Sequence, residues 1–250
     1  MMRILFIVAA LVPLLQLLPG TDALAQEPAL LTLNMGEEAG PRQVSTILQI
    51  MMLLTVLSVA PAILLMTTSF VRVVVVLSLL RQAMGTQQMP PNQIIIGLAM
   101  FLTFFIMTPV ITQVNENALQ PYLNEELGEE DALAAAIAPM RAFMFSHVRE
   151  SDLALMSEFA GNPAPETLDD IPTTTLIPAF MLSELKRAFQ IGFMIFVPFL
   201  VIDMITASVL MTMGMLMLPP IIISLPFKVL LFVLVDGWHL VVGSLLQGFY

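Results

Sequence analysis

Long uncharged segments dominate the pattern of hydrophobic and polar positions along this chain. No residue from Gln43 to Val71 is charged, which predicts a membrane-spanning helix over Ser45–Phe70 that bends near Pro61. The turn signal Met89-Pro-Pro-Asn92 precedes a second uncharged segment, and that segment predicts a second span over Ile94–Val114. The two spans form a first helical hairpin, residues 45–114.

Two more apolar segments predict a third span over Ala188–Met211 and a fourth over Ile221–Leu246. They form a second hairpin, residues 188–250, which contains a methionine-rich loop. The short stretch Val73–Leu80 is too brief to cross a bilayer alone, and we expect it to prolong the first helix. The predicted fold class is an all-α membrane protein, with four long apolar helices in two hairpins and a short helical extracytoplasmic segment between the second and third.

The first 25 residues predict a cleaved signal peptide. Arg3 supplies a positive start, Ile4–Leu18 an apolar core, and Ala23-Leu-Ala25 a small-residue cleavage site. The alternative is an uncleaved first transmembrane helix, but prolines interrupt the short apolar run. If cleavage occurs, residues 26–44 form a short external N-terminus.

Composition supports the membrane assignment, since 58% of residues are hydrophobic and 11% are charged. The 250-residue chain contains no cysteine, which excludes disulfides and thiolate metal sites. The motifs H-E-x-x-H, G-x-S-x-G, G-x-x-x-x-G-K-[ST] and G-x-G-x-x-G are absent from the sequence. Zinc proteolysis, serine hydrolysis and nucleotide binding therefore lack their usual marks, and we expect neither enzyme activity nor a cofactor.

Charge distribution predicts the topology. Arg72 and Arg81 lie in a connection without acidic residues, as in a cytoplasmic loop. The 115–187 segment is then extracytoplasmic, and it holds most of the 19 acidic residues. Lys186 and Arg187 would also lie outside, against the positive-inside tendency.

The 115–187 segment has helical composition over Ala132–Arg149, which we expect to be broken at Pro139. The acidic run Glu125–Asp131 lacks the spacing of a calcium loop, which favours a solvated face over a metal site. His147 and His239 are too few and too far apart in sequence to suggest metal ligands, and are interpreted as packing or surface residues.

Three charges fall within the predicted third and fourth spans: Asp203, Lys228 and Asp236. Paired carboxylates could form an intramembrane aspartyl protease, but Lys228 is closer than Asp236 to the depth of Asp203, which favours an ion pair. A structural lock between helices or subunits is one interpretation of these charges. Proton or substrate handling, as in a proton-coupled transporter or an ion channel subunit, is the other.

Four methionines occupy alternate positions around Gly214, before the double proline Pro219-Pro220: Met211, Met213, Met215 and Met217. In a helix they would point in different directions, whereas in an extended loop all four would line one side. Gly214 and the two prolines favour a flexible loop that interrupts the helix. One such loop from each copy of an oligomer would build a compliant thioether collar around a shared axis. The alternative is ordinary packing in a membrane core.

Several segments together form a recognisable pattern: Phe70-Val-Arg-Val73, Gln87–Asn92, Pro178–Phe193, Met213-Gly-Met215 with Pro219-Pro220, Leu225-Pro-Phe-Lys228 and Val235-Asp-Gly-Trp238. They resemble the motifs of the FliP family of flagellar export-gate proteins, which is related to the SctR proteins of injectisomes. The match extends over nearly the whole chain, and the N-terminal signal favours the flagellar branch over the injectisome branch.

The resemblance implies a pore-forming subunit of the flagellar type III secretion apparatus in the bacterial inner membrane, within the basal body. The family forms a pentamer that assembles with FliQ and FliR, works with FlhA, FlhB and the export ATPase, and conducts unfolded flagellar proteins rather than nucleic acid. Its gate is held largely outside the plane of the bilayer. The family's pore gasket carries over to Met211, Met213, Met215 and Met217. Glu184, Lys186 and Arg187 become candidates for intersubunit contacts, with a surface helix start as the alternative.

Overall fold

A computed structural model describes residues 41–86, 89–161, 167–215 and 217–249, and all regular secondary structure in those ranges is helical. The α-helices are α1 (Pro41–Met66), α2 (Phe70–Met84), α3 (Asn92–Val114), α4 (Gln120–Leu123), α5 (Glu129–His147), α6 (Glu150–Phe159), α7 (Thr173–Thr212), α8 (Pro220–Leu234) and α9 (Gly237–Gln247). A π-helix over Asn115–Leu119 joins α3 to α4, and a 3₁₀ turn over Leu168–Asp170 precedes α7. The predicted signal peptide, residues 1–25, lies outside the described residues.

Within the described residues, three segments are long and apolar enough to cross a membrane: Ile47–Met66, Asn92–Leu123 and Thr173–Thr212. The pair α8 and α9 passes the same test if it counts as one bent span. The all-α membrane fold with up to four spans is therefore confirmed. The described part of the chain divides between residues 53 and 54 into two units, and the buried core belongs to the second unit.

The centre of the second unit is α2, which packs along α7. Val73, Val76 and Leu80 on α2 are almost completely buried. A methyl group at Gly192 of α7 would lie 2.2 Å from the Leu79 side chain, so the two helices approach as closely as glycine allows.

The expectation that residues 73–80 prolong the first helix is wrong. The chain breaks at residues 67–69 and starts the new helix α2. At the end of α1, the Ile63 carbonyl accepts both the Thr67 N–H, at 2.9 Å, and the Thr67 hydroxyl, at 3.0 Å. The continuous valine and leucine run is apolar because it is surrounded by protein.

The expected break at Pro139 is also wrong, because α5 continues through it from Glu129 to His147. The proline is buried inside the continuous helix. Arg141 on α5 then secures the start of α7: it donates to the Thr173 hydroxyl at 2.6 Å and to the Ile171 carbonyl at 2.8 Å.

The third and fourth predicted spans differ from the helices observed. Helix α7 begins at Thr173, earlier than the predicted Ala188, and is about 60 Å long at 1.5 Å per residue. The predicted fourth span is bent by 62° between α8 and α9. Asp236 has φ +49° at this bend, and the Phe232 ring occupies the space beside Gly237.

Candidate functional site

The methionine turn, defined as residues 211–220, joins α7 to α8. Gly214 has φ +76°, its N–H donates to the Met211 carbonyl at 3.0 Å, and the Met215 N–H donates to the Leu210 carbonyl at 2.9 Å. This pair of bonds is the Schellman arrangement that ends a helix at a glycine. Pro220 occupies the first turn of α8, where a missing N–H costs nothing.

The methionine side chains in this turn are exposed within the single chain. The exposed fractions are 63% for Met211, 67% for Met213, 40% for Met215 and 98% for Met217. Met213 and Met215 line an apolar cleft of about 590 Å³ between α7 and α8, and Met211 and Met217 do not. Because α7 continues to Thr212 and turns at Gly214, the four methionines do not lie on one extended strand, and their convergence in an oligomer stays a prediction.

A partly buried ion pair lies at the base of the same hairpin, in which Lys228 is 5% exposed and Asp203 27% exposed. The Lys228 ammonium is 2.6 Å from one Asp203 carboxylate oxygen, and the Ser224 hydroxyl donates to the other at 2.5 Å. Lys228 also donates to the Ala83 carbonyl at 3.2 Å, in the last turn of α2. The cluster thus connects α7, α8 and α2, and it satisfies a carbonyl that a helix end leaves free.

Asp236 lies apart from this cluster and is exposed at the α8–α9 bend. Among the described residues, no hydrogen bond joins its side chain to Asp203. An aspartyl dyad needs two carboxylates that share a proton, so the arrangement gives the protease interpretation no support.

A second buried ion pair was not anticipated from the sequence. Arg72 on α2 donates two bonds to the Glu184 carboxylate on α7, and the side chains are 1% and 0% exposed. Arg72 also donates to the Gly248 carbonyl at 2.9 Å, and its guanidinium lies 3.6 Å from the centre of the Phe249 ring. The sequence signal that could have indicated a buried charge here was a single arginine inside the largely apolar run Phe70–Leu80.

Of the three candidate contact residues, Glu184 is buried with Arg72, Lys186 is exposed, and Arg187 is partly exposed. Arg187 lies 3.9 Å from Glu184, which is beyond hydrogen-bond distance. Lys186 and Arg187 are therefore the members of this set that a neighbouring molecule can reach.

His147 packs against the same region, with ring centres 4.6 Å from Phe143 and 5.2 Å from Phe249. Burial lowers the pKa of His147 from its ordinary value of 6.5, and the positive charge of Arg72 lowers it further, while the Phe143 carbonyl opposes both. In the described part of the chain, no cluster of His, Asp and Glu residues could hold a metal ion.

Comparison with known proteins gives a consistent result. The FliP family model matches residues 53–245. The flagellar biosynthetic protein FliP of Bacillus subtilis is 56% identical over 217 residues, which cover 87% of this chain and 98% of the relative. The Caulobacter vibrioides protein of the same name is 50% identical over 227 residues, covering 91% and 85%, and that of Aquifex aeolicus is 50% identical over 204 residues, covering 81% and 85%. The resemblance found in the sequence is thus confirmed, and the chain belongs to the FliP family.

Proposed function

We propose that this chain is a pore-forming subunit of the flagellar type III export gate, closed by the methionine turns of several copies. The observation that carries the proposal is the exposure of four apolar thioethers beside a helix break. Exposed apolar clusters at a turn usually mark a surface that another molecule covers. Methionine suits a seal that must reshape, because its unbranched side chain adapts to irregular surroundings.

The Asp203–Lys228 ion pair supports a hairpin with a fixed base and a deformable tip. Asp203, Ser224 and Lys228 connect α7 and α8 to the last turn of α2. The methionine turn lies beyond these bonds. A tip of this kind deforms when an unfolded chain passes, while the base keeps its position in the ring.

The assembly follows from the same proposal. The chain forms a homopentamer with FliQ and FliR in the bacterial inner membrane, at the flagellar basal body, and FlhA, FlhB and the export ATPase drive transport. Flagellar proteins are the substrates, and the subunit itself is not an enzyme. Lys186 and Arg187 contact a neighbouring subunit.

The test replaces Met211, Met213, Met215 and Met217 together by alanine. Because alanine is much shorter than methionine, the closed pore widens, and cells or proteoliposomes containing the assembled complex should leak small ions. A matched control replaces four equally exposed methionines outside the turn: Met51, Met52, Met194 and Met204.

If membranes that contain the assembled quadruple variant do not leak small ions, the gasket proposal is contradicted. A transporter predicts the opposite pattern, in which neutralising Asp203 or Asp236 abolishes transport while the methionines tolerate replacement. Asp236→Asn is the informative variant, because Asp236 is exposed and its replacement leaves the Asp203–Lys228 pair intact.

A further inference from the structure

A polar cavity of about 520 Å³ lies where α2, α5, α7 and the end of α9 meet. Its lining includes two guanidinium groups, an imidazole, an amide and a phenyl ring: Arg72, Arg187, His147, Gln190 and Phe249. None of the lining residues belongs to the methionine turn or to the Asp203–Lys228 pair. The proposed pore therefore leaves this cavity unexplained.

Arg72 is the fixed cation of the cavity. Its Nε and Nη2 donate to the Glu184 carboxylate, and its Nη1 donates to the Gly248 carbonyl at 2.9 Å. The Phe249 ring covers the guanidinium, with its centre 3.6 Å away. Arg72 and Glu184 thus form a neutral pair that is held in place on α2, α7 and the end of α9.

Arg187 is the cation that these bonds leave unbalanced. It lies 3.9 Å from the Glu184 carboxylate, beyond hydrogen-bond distance, and its side chain is 31% exposed. In the described part of the chain, no acidic side chain lines the cavity. Gln190 lies three residues further along α7, on the same helix face, and also lines the cavity. One positive charge and an amide therefore remain available to an anion.

His147 contributes a third group that can respond to an anion. Its Nδ1 is 2.8 Å from the Phe143 carbonyl, which can only accept, so Nδ1 carries the hydrogen and Nε2 is left to take up a proton. Burial lowers the pKa of His147, Arg72 and Arg187 lower it further, and the Phe143 carbonyl and Glu184 oppose them. An anion in the cavity would offset the repulsion from the two guanidinium groups and favour the protonated ring.

We infer that the cavity binds one tetrahedral oxyanion, of the size of sulfate or phosphate, between the Arg187 guanidinium and the His147 ring. The planar guanidinium fits two oxygens at once. Gln190 and the protonated ring supply further donors from α7 and α5, which suits an anion whose oxygens point in four directions. Because a guanidinium has five N–H donors, Arg187 can bind the anion and still contact a neighbouring subunit.

The first test is equilibrium dialysis of the full chain, in its purified complex, against labelled sulfate in phosphate-free buffer. Sulfate is the probe because its charge stays constant between about pH 6 and about pH 8, where histidine titrates. We expect saturable binding that is several-fold tighter at the lower pH, since the protonated ring favours the anion. Chloride at the same ionic strength should not displace the sulfate.

Two substitutions assign the binding to this cavity. Arg187→Gln should weaken sulfate binding about tenfold through the lost charged hydrogen bonds. Lys186→Gln is the matched control, because it removes the same charge from an adjacent residue that does not line the cavity. His147→Gln should retain binding at the higher pH and lose the increase at the lower pH.

Nuclear magnetic resonance of the unmodified protein gives a readout that needs no substitution. The chain contains two histidines, His147 and His239, and His239 does not line the cavity. With labelled histidine, saturating sulfate should raise the pKa of His147 by about one unit and leave that of His239 unchanged.

The proposal would be overturned if the complex shows no saturable sulfate binding, if the two glutamine variants at 186 and 187 bind equally, or if sulfate leaves the His147 titration unchanged. Binding by the dispersed chain but not by the assembled complex would also overturn it, because an acidic group of a neighbouring subunit would then occupy the cavity.

Discussion

At the scale of single residues, the buried pair of Arg72 and Glu184 makes each charge dependent on the other. Arg72 and Glu184 are separated by 112 positions in sequence and are almost inaccessible to solvent. Two buried charges are tolerated when they are paired and hydrogen-bonded, and removal of one leaves the other uncompensated.

We predict that Arg72→Met lowers the free energy of unfolding by about 3–5 kcal/mol, because the Glu184 carboxylate stays buried without its partner. The double variant Arg72→Met, Glu184→Leu should recover most of this loss. Denaturation of the purified chain in detergent measures both. Arg81→Met is the control, since Arg81 bonds to the exposed Asn92. A double variant as unstable as Arg72→Met would contradict the argument.

His147 predicts a dependence of stability on pH. Its pKa in the folded chain lies below the ordinary value of 6.5, so the unfolded chain binds more protons and stability falls as the pH drops through 6.5 and below. We expect the midpoint of unfolding to decrease when the pH is lowered from about 8 to about 5. The fall should be smaller in His147→Gln. An equal pH dependence in the two proteins would assign the effect to other groups.

At the scale of elements, local backbone geometry rather than the limits of the apolar runs sets the end of α7 and the bend between α8 and α9. The Schellman turn at Gly214 ends α7 although the sequence remains apolar. Asp236 has a left-handed backbone conformation and is followed by Gly237. The chain bends there, although hydropathy predicts this segment as one span.

Gly237→Ala should destabilise the α8–α9 bend. The new methyl group would lie 2.2 Å from the Phe232 ring, which is buried, so the expected cost is about 1–3 kcal/mol. Gly243→Ala in the same helix is the control, because nothing lies within 4 Å of its added methyl group, and it should be neutral or stabilising by about 0.5–1 kcal/mol. Thermal unfolding in detergent compares the two, and similar losses would show that the bend has room for a side chain.

At the scale of the whole molecule, the second unit buries its polar contacts and leaves large apolar side chains exposed. Met194 and Met204 on α7 are 73% and 69% exposed, and Leu234 at the end of α8 is 74% exposed. Such surfaces are stable only when lipid or other protein covers them. The exposed methionine turn belongs to the same surface, and its covering by other copies can be tested directly.

Because the chain contains no cysteine, Met217→Cys would introduce its single thiol, at a position that is 98% exposed. If the methionine turns converge on a shared axis, a short thiol cross-linker should join two copies in the intact complex. Phe159→Cys, at an 82% exposed position at the end of α6, should not cross-link. Equal cross-linking at the two positions would contradict the shared axis.

Much of the candidate site could be read from the sequence because its signals are local. The alternate methionines, Gly214 and the double proline lie within ten residues of one another, and a helix break there follows from backbone geometry alone. The favoured pairing of Lys228 with Asp203 followed from their positions along two neighbouring spans, and the structure contains that contact.

The sequence by itself determined the membrane class, the approximate spans, the position of the methionine turn and the family. Tertiary structure alone decided that residues 73–80 form part of a buried helix, that α8 and α9 bend, and that Arg72 pairs with Glu184. The physical reason is range: hydropathy and turn chemistry act over a few residues, whereas the partner of a buried charge depends on which distant helices pack together.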